Sequence, residues 1–341
     1  MKKSTILYIV IFLALAVTST VLVLRKTNST ISEVLTDFAI KDTASITRIH
    51  LADHYKNDIV LERKGPGFWI VNNTYKAKQS CIRVLLMTIK EVQVKSTLPL
   101  PARDNVIKDL ATNGVTIDIY SGGANPKTYY VGSSTPDALG TLMLLKGSSQ
   151  PFVTWVPGFD GYLTTRYIVR LQDWRSTDIY HLNPAEIKEV HVAYSEEPGK
   201  SFTLKINDNE FLAYKDASAS MPVKVNNLLA KKYLSGYKAI NFEVFVDFNQ
   251  YKIDSISNQG PFAVINVTTT DKNYPPLKLY YCRATESSKG IGKKGEDTDR
   301  FYGIIGDRPN ELLMVQKYVV GKLLAEYNDL AGGKVNMEVN K

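Results

Sequence analysis

The sequence predicts an α+β protein in which an N-terminal transmembrane helix precedes two tandem, internally duplicated β-rich repeats. Three observations carry that reading. The 20-residue run "TILYIVIFLALAVTSTVLVL" (Thr5–Leu24) holds no charge. Beyond it, short stretches alternate apolar and polar residues with a period of two and stop at Gly, Pro and Asn turns, as half-buried strands do. The segments of the first half also recur, in the same order, in the second half.

The apolar run is flanked by Lys2-Lys3 and Arg25-Lys26. About 20 residues at roughly 1.5 Å each cover a bilayer core of about 30 Å. A cleaved signal peptide would have a shorter apolar region ending in a small-residue cleavage site. Here Val21-Leu22-Val23-Leu24 continues past Thr18-Ser19-Thr20, so an uncleaved anchor is expected. No Cys follows the run, which argues against a lipoprotein. With its α-amino group the N-terminal flank carries slightly more positive charge, so it is expected on the cytoplasmic side of an inner membrane with the bulk of the chain periplasmic. The bilayer, met through residues 5–24, is thus the first expected partner.

Residues 1–26 read as the anchor and 27–41 as a polar juxtamembrane linker, followed by a first repeat over 42–178. A second repeat spans 179–330, and 331–341 form a tail. Each repeat reads about β-β-β-α-α-β-β-β-α. "ITRIHLADHYKNDIVLERKGPGFWIVN" (Ile46–Asn72) opens the first with three strands, Gly65-Pro66-Gly67 making a hairpin. "IHLA" (Ile49–Ala52) is echoed by "VHVA" (Val190–Ala193), and Ile59-Val60-Leu61-Glu62 by Phe202-Thr203-Leu204-Lys205. In "CIRVLLMTIKEVQV", Ile82, Leu85, Leu86 and Ile89 share a helical face, as do Val225, Leu228, Leu229 and Tyr233 in "VKVNNLLAKKYL". "RDNVIKDLATNG" and "YKIDSISNQG" predict shorter helices with left-handed caps at Gly114 and Gly260. "VTIDIY" then matches "FAVINV", and "KTYYV" matches "KLYYC", which sets Gly132 opposite Arg283. "GYLTTRYIVRLQDW" and "LLMVQKYVVGKLLAEY" are expected as closing helices, the second with Leu312, Val315, Val319, Leu323 and Tyr327 as its stripe.

Composition bounds the function. With 341 residues, 44% hydrophobic and 22% charged, the chain is long enough for about two folded domains. Its net charge of +8 comes from Lys and Arg spread along the chain, which excludes a concentrated nucleic-acid footprint. Gly290-Ile291-Gly292-Lys293-Lys294-Gly295 spells GxGxxG, but "EDTDRFYGII" after it reads as loop and strand. A dinucleotide site needs a helix there, so no nucleotide is expected. Cys81 and Cys282 fall in different repeats and are expected as free thiols. His50 and His191 occupy equivalent strand positions, and no histidine has partners at a zinc spacing, so no metal or other cofactor is expected. A nucleophile elbow, P-loop, HExxH and CxxC are all absent from the chain.

One stretch is dense in recognition residues. "PFVTWVPGFDGYLTTRYIVRLQDWRS" (Pro151–Ser176) brings Trp155, Phe159, Tyr162, Arg166, Trp174 and Arg175 together in sequence. Aromatics and Arg anchor protein interfaces, and aromatics also stack on sugars. They equally fill cores, and Pro157-Gly158 reads as a turn shaping one. These six residues are the candidate interaction surface, with no catalytic residue among them.

The segments "DTASITRIHLAD", "VLERKGPGFWIVN", "KTYYVG…GTLML", "WVPGFDGYLTTRY" and "DWRS" together resemble the bacterial family called domain of unknown function 4340, in its Bacteroidota form. The resemblance runs from about Ile40 to the final helix of the second repeat. It implies an exported, membrane-tethered protein with no defined activity. Some similar proteins accompany ABC transporters associated with gliding motility, which implies a place in cell-envelope machinery among other envelope proteins. The expected function is therefore a non-enzymatic accessory or scaffold subunit of a transport, secretion or motility complex. A glycan- or peptidoglycan-binding module, or an enzyme with a site between the repeats, are the alternatives.

Overall fold

A computed structural model describes residues 36–123, 125–207, 210–215, 221–286, 288–292 and 295–332. The expected anchor, the first part of the 27–41 linker and most of the 331–341 tail lie outside the described residues. Among the described residues no helix is long and apolar enough to cross a membrane. The chain divides into two compact units between Ser176 and Thr177.

Alternation builds the first unit. In β1 (Arg48–Ala52), Ile49 and Leu51 are fully buried, while His50 points to the other face. Ile49 opposes Leu61 of β2 (Asp58–Gly65) and Ile119 of β6 (Val115–Tyr120), and Leu51 opposes Ile59 and Ile117. This register puts Ile49, Leu51, Ile59, Leu61, Ile117 and Ile119 on one face. The sheet grows outward through β3 (Phe68–Val71) and β4 (Tyr75–Lys76) on one side. On the other it adds β7 (Lys127–Ser134), β8 (Thr141–Leu145), β9 (Phe152–Trp155) and finally β5 (Gln93–Thr97). All nine strands pair antiparallel. Helix α1 (Gln79–Glu91) buries Ile82, Leu85 and Ile89 in the same core as the inward sheet residues. Covering three such side chains contributes on the order of 6 kcal/mol. Helix α2 (Leu100–Asn113) packs on the opposite face, where Leu110 meets Gly132 of β7. One-turn helix α3 (Leu171–Trp174) closes the unit.

The unit begins earlier than the sequence suggests. Phe38, 1% exposed, is packed edge-on against Tyr129 and Phe152, with centroids at 6.1 and 6.4 Å. Lys127 Nζ donates to the carbonyls of Asp37 and Ala39, both at 2.8 Å, and Ile40 N–H donates to Ile89 O at 3.0 Å. The last residues of the expected 27–41 linker thus belong to the folded core.

The second unit has a small antiparallel pair, β10 (Asp178–Tyr180) with β15 (Ile240–Asn241), and another nine-stranded antiparallel sheet. That sheet comprises β11 (Ile187–Tyr194), β12 (Phe202–Asn207), β13 (Glu210–Tyr214), β14 (Val223–Lys224), β16 (Val244–Phe245), β17 (Ala263–Thr269), β18 (Leu277–Arg283), β19 (Glu296–Ile305) and β20 (Leu313–Gln316). Its order is β14-β13-β12-β11-β17-β18-β19-β20-β16, against β4-β3-β2-β1-β6-β7-β8-β9-β5 in the first sheet. Counted within each sheet, the two orders are the same. Val190 opposes Leu204 and Val267, as Ile49 opposes Leu61 and Ile119. Asn226 caps α4 (Asn227–Ser235) by accepting from the Leu228 and Leu229 N–H groups, and Asn249 caps α5 (Gln250–Ser257) by accepting from Lys252 N–H.

Several expectations change. Each nine-stranded sheet has four strands before the first helix of its unit and one between the two helices, because short edge strands such as β4 and β14 are too brief to show a period. "LLMVQKYVVGKLLAEY" is not one helix: Leu313–Gln316 pair with β19, and short α6 (Lys317–Val320), a 3-10 turn (Gly321–Leu323) and α7 (Tyr327–Ala331) follow. Its apolar spacing suits a helix, but a sheet partner for Leu313 and Val315 overrides it. "GYLTTRYIVRLQDW" likewise yields a single 3-10 turn, Thr164–Arg166, and α3. Gly260 is left-handed as expected (φ +78), but Gly114 is not (φ −72). A Cβ at Gly114 would lie 2.3 Å from Leu110 O, so close approach demands glycine there. Register also corrects one pairing. Ile117 faces Tyr129 and Ile265 faces Leu277, so Leu277 holds the place of Tyr129, and Tyr280, not Arg283, that of Gly132.

Candidate functional site

The aromatic and Arg-rich stretch is a strap stitched onto the first unit. Trp155 ends β9 opposite Gln93, half-buried, with Lys95 Nζ 5.8 Å from its ring centroid. Gly158 turns the chain at φ +78, and Phe159 N–H donates to Val156 O at 3.0 Å. Leu163 N–H then donates to Thr141 Oγ1 at 2.6 Å, and Thr164 Oγ1 to Gly132 O at 2.8 Å. These bonds tie the strap to β7 and β8. Arg166 lies 4.0 Å over the Phe159 ring and donates from a terminal nitrogen to Thr88 Oγ1 of α1 at 2.8 Å. Partial burial pulls its pKa below the ordinary value, opposed by neighbouring Tyr167. The Tyr167 hydroxyl meets Tyr129 OH at 3.2 Å in the core, and burial pushes its pKa up to about 12.

Two of the six candidates are buried parts of that strap. Trp174 Nε1 donates to Ile168 O at 2.7 Å, and its ring belongs to the hydrophobic core. Arg175 is buried with its guanidinium 3.8 Å over the Tyr75 ring. Their burial gives both a packing role. Phe159 and Arg166 are brought together and half-buried, Trp155 sits with Lys95, and Tyr162 is 38% exposed. A partner can reach those four.

A polar cluster escaped the sequence reading. His50 lies between Asp58 of β2, which its Nε2 meets, and Asp118 of β6, whose Oδ2 is 3.3 Å from Nδ1. Thr128 Oγ1 on β7 donates to Asp118 Oδ1 at 2.6 Å. Four strands are thereby linked on the face away from the main core. Only the register that opposes His50 and Asp118 creates the cluster, so neither residue announces it in sequence. In the second unit His191 meets the amide of Asn266, at 3.4 Å. The two carboxylates flank His50 from opposite sides of its ring, and among the described residues no group of three or more His, Cys, Asp or Glu side chains can hold a metal.

Cys81 and Cys282 are free, and burial raises the Cys282 thiol pKa. Gly290–Gly295 lie in the connection between β18 and β19. Gly295 takes a left-handed φ of +80 and β19 starts at the next residue, so the helix a dinucleotide fingerprint needs is not there.

Two antiparallel α+β units, one bearing an aromatic strap, define a class by fold rather than by chemistry. A family model described as "Domain of unknown function (DUF4340)" matches residues 69–255, more than half of the chain, and the protein belongs to that family. The matched span starts within β3 and ends within α5, narrower than the resemblance suggests and crossing the boundary between the units. No curated protein and no solved structure matches the chain.

Proposed function

We propose that this protein is a single-pass, inner-membrane-anchored scaffold or accessory subunit of a cell-envelope complex serving transport, secretion or motility. In this reading its bulk is periplasmic and its two units arose by internal duplication. The uncharged run Thr5–Leu24, followed after 13 residues by the buried Phe38, is the observation that carries it. Such a connection would hold the first unit close to the bilayer and raise its effective concentration toward membrane partners. The common strand order of the two sheets supports the duplication. The Bacteroidota-like segments and the gliding-motility association of similar proteins favour an envelope setting by analogy. Trp155, Phe159, Tyr162 and Arg166 form the docking surface.

Cross-linking in native cells, then purification in mild detergent and mass spectrometry, tests this. A reproducible envelope partner cross-linked near the strap is the expected result; a chain recovered without partners overturns it. Partial exposure of Tyr162 and Trp155 also suits sugar stacking, so a glycan-binding module is the second reading. Tyr162→Ala separates the two: loss of the protein partner supports the subunit, and loss of peptidoglycan retention supports the glycan module.

A further inference from the structure

Helix α2 is held less firmly in the first unit than α1. Leu110 is its only buried residue, whereas α1 buries Ile82, Leu85, Thr88 and Ile89. Ala102, Arg103, Val106 and Ile107 remain partly accessible, and Leu100 at its start is 73% exposed. No side chain caps its N-terminus, its first turn has no acid and its last turn no base, so its dipole is not compensated by its own residues. Docking also buries Arg103 Nε without a hydrogen-bond partner among the described residues, which opposes the docked state. The sheet offers little in return. Leu110 rests on Gly132, where even a Cβ would come within 2.7 Å of Leu110 Cδ2, and Ser133 Oγ donates to Asp109 Oδ2 at 3.2 Å.

The shorter α5 is held differently. Its Ile253 packs with Tyr280, Ile304 and Leu312 in a cluster of its own, flanked by Val246, Phe248, Ile256 and Tyr302. Asn249 caps its start.

We propose that α2 is a locally opening lid, leaving the face of β7 and β8 while the rest of the first unit stays folded. Pro99 and Gly114 bound the moving segment. Opening uncovers Gly132 together with half-buried Tyr130, Leu142 and Leu144, which share its face by strand alternation. Elements with few buried apolar contacts open below the global unfolding free energy.

Hydrogen exchange on the full-length chain in detergent tests the lid. Amides of residues 104–113 are expected to exchange at least ~10-fold faster than those of 83–91, with a weaker denaturant dependence. Leu110→Ala should accelerate 104–113 and leave 83–91 unchanged. Should that variant fail to fold, Arg103→Met carries the test: it removes the orphan donor and should slow exchange across 104–113. Equal rates and denaturant slopes in both helices, acceleration of both by Leu110→Ala, or no slowing in Arg103→Met would each overturn the proposal.

Discussion

At one place in a shared strand order, the first unit has Gly132 under Leu110 of a 14-residue helix, and the second has Tyr280 beneath Ile253 of an eight-residue one. The glycine brings helix backbone close to the sheet but leaves little side chain to pack. The tyrosine fills the same layer and supports a second cluster. The first unit instead concentrates its packing on the other face, where Phe38 enters from the N-terminal side and Tyr167 and Trp174 return from the strap. The second unit closes that face from its C-terminal end: Leu323, Ala325 and Leu330 are buried, and Tyr194 OH donates to Ala325 O at 2.8 Å. Strand order and closure are therefore separable. One topology accepts different plugs, provided that the apolar face of the sheet is covered.

Breaking a plug should have the largest effect. Phe38→Ala removes a ring that is 1% exposed and is expected to cost about 3–5 kcal/mol. The loss should fall on the first unit, so hydrogen exchange read separately for residues 36–176 and 177–332 should show early opening in the former only. Equal loss in both would mean that the units fold as one cooperative block. The layer beneath the helices comes next. Tyr280→Gly makes the second unit resemble the first there, at about 3 kcal/mol in denaturant unfolding, with exchange across α5 rising most.

Alkali probes a feature the units share. Each buries a tyrosine hydroxyl pair, Tyr129 with Tyr167 at 3.2 Å and Tyr233 with Tyr237 at 2.9 Å. Burial holds Tyr167 at about 12, above the ordinary tyrosine value of about 10, so the folded state favours the neutral phenol. Its contribution is fully present below pH 10 and is lost as pH rises from there toward about 12. Tyr167→Phe should flatten that alkaline decline for the first unit, followed by tyrosinate absorbance alongside unfolding. An unchanged decline would assign it to other groups.

The histidines should differ more modestly. His50→Ala severs contacts to Asp58 and Asp118 and is expected to cost about 1 kcal/mol, whereas His191→Ala loses one amide contact and roughly half as much. Equal costs would show that the two carboxylates add nothing to the strand linkage. Smallest of all, Tyr162→Ala should shift stability by less than about 0.5 kcal/mol, because the side chain is 38% exposed, while still weakening partner capture.

Much of this comparison was legible in the chain itself. The period of two around Ile49, Leu51, Val190 and Val192 marks the central strands and their buried face, and the echo of "IHLA" in "VHVA" aligns them correctly. Ile82, Leu85 and Ile89 mark the α1 face in the same way. Local periodicity depends only on which side of an element meets water, so sequence carries it directly. Tertiary structure decided the rest. Leu313 and Val315 have helical spacing, yet β19 makes them strand. "KTYYV" and "KLYYC" look alike, but pairing register sets Leu277 in the place of Tyr129. Trp174 and Arg175 read as recognition residues until the strap folds back and buries them, and His50 acquires its carboxylates only when β1 pairs with β2 and β6. Each of these outcomes rests on contacts between residues far apart in the chain, and such contacts are settled by competition among whole elements for partners and cover, which no local pattern encodes.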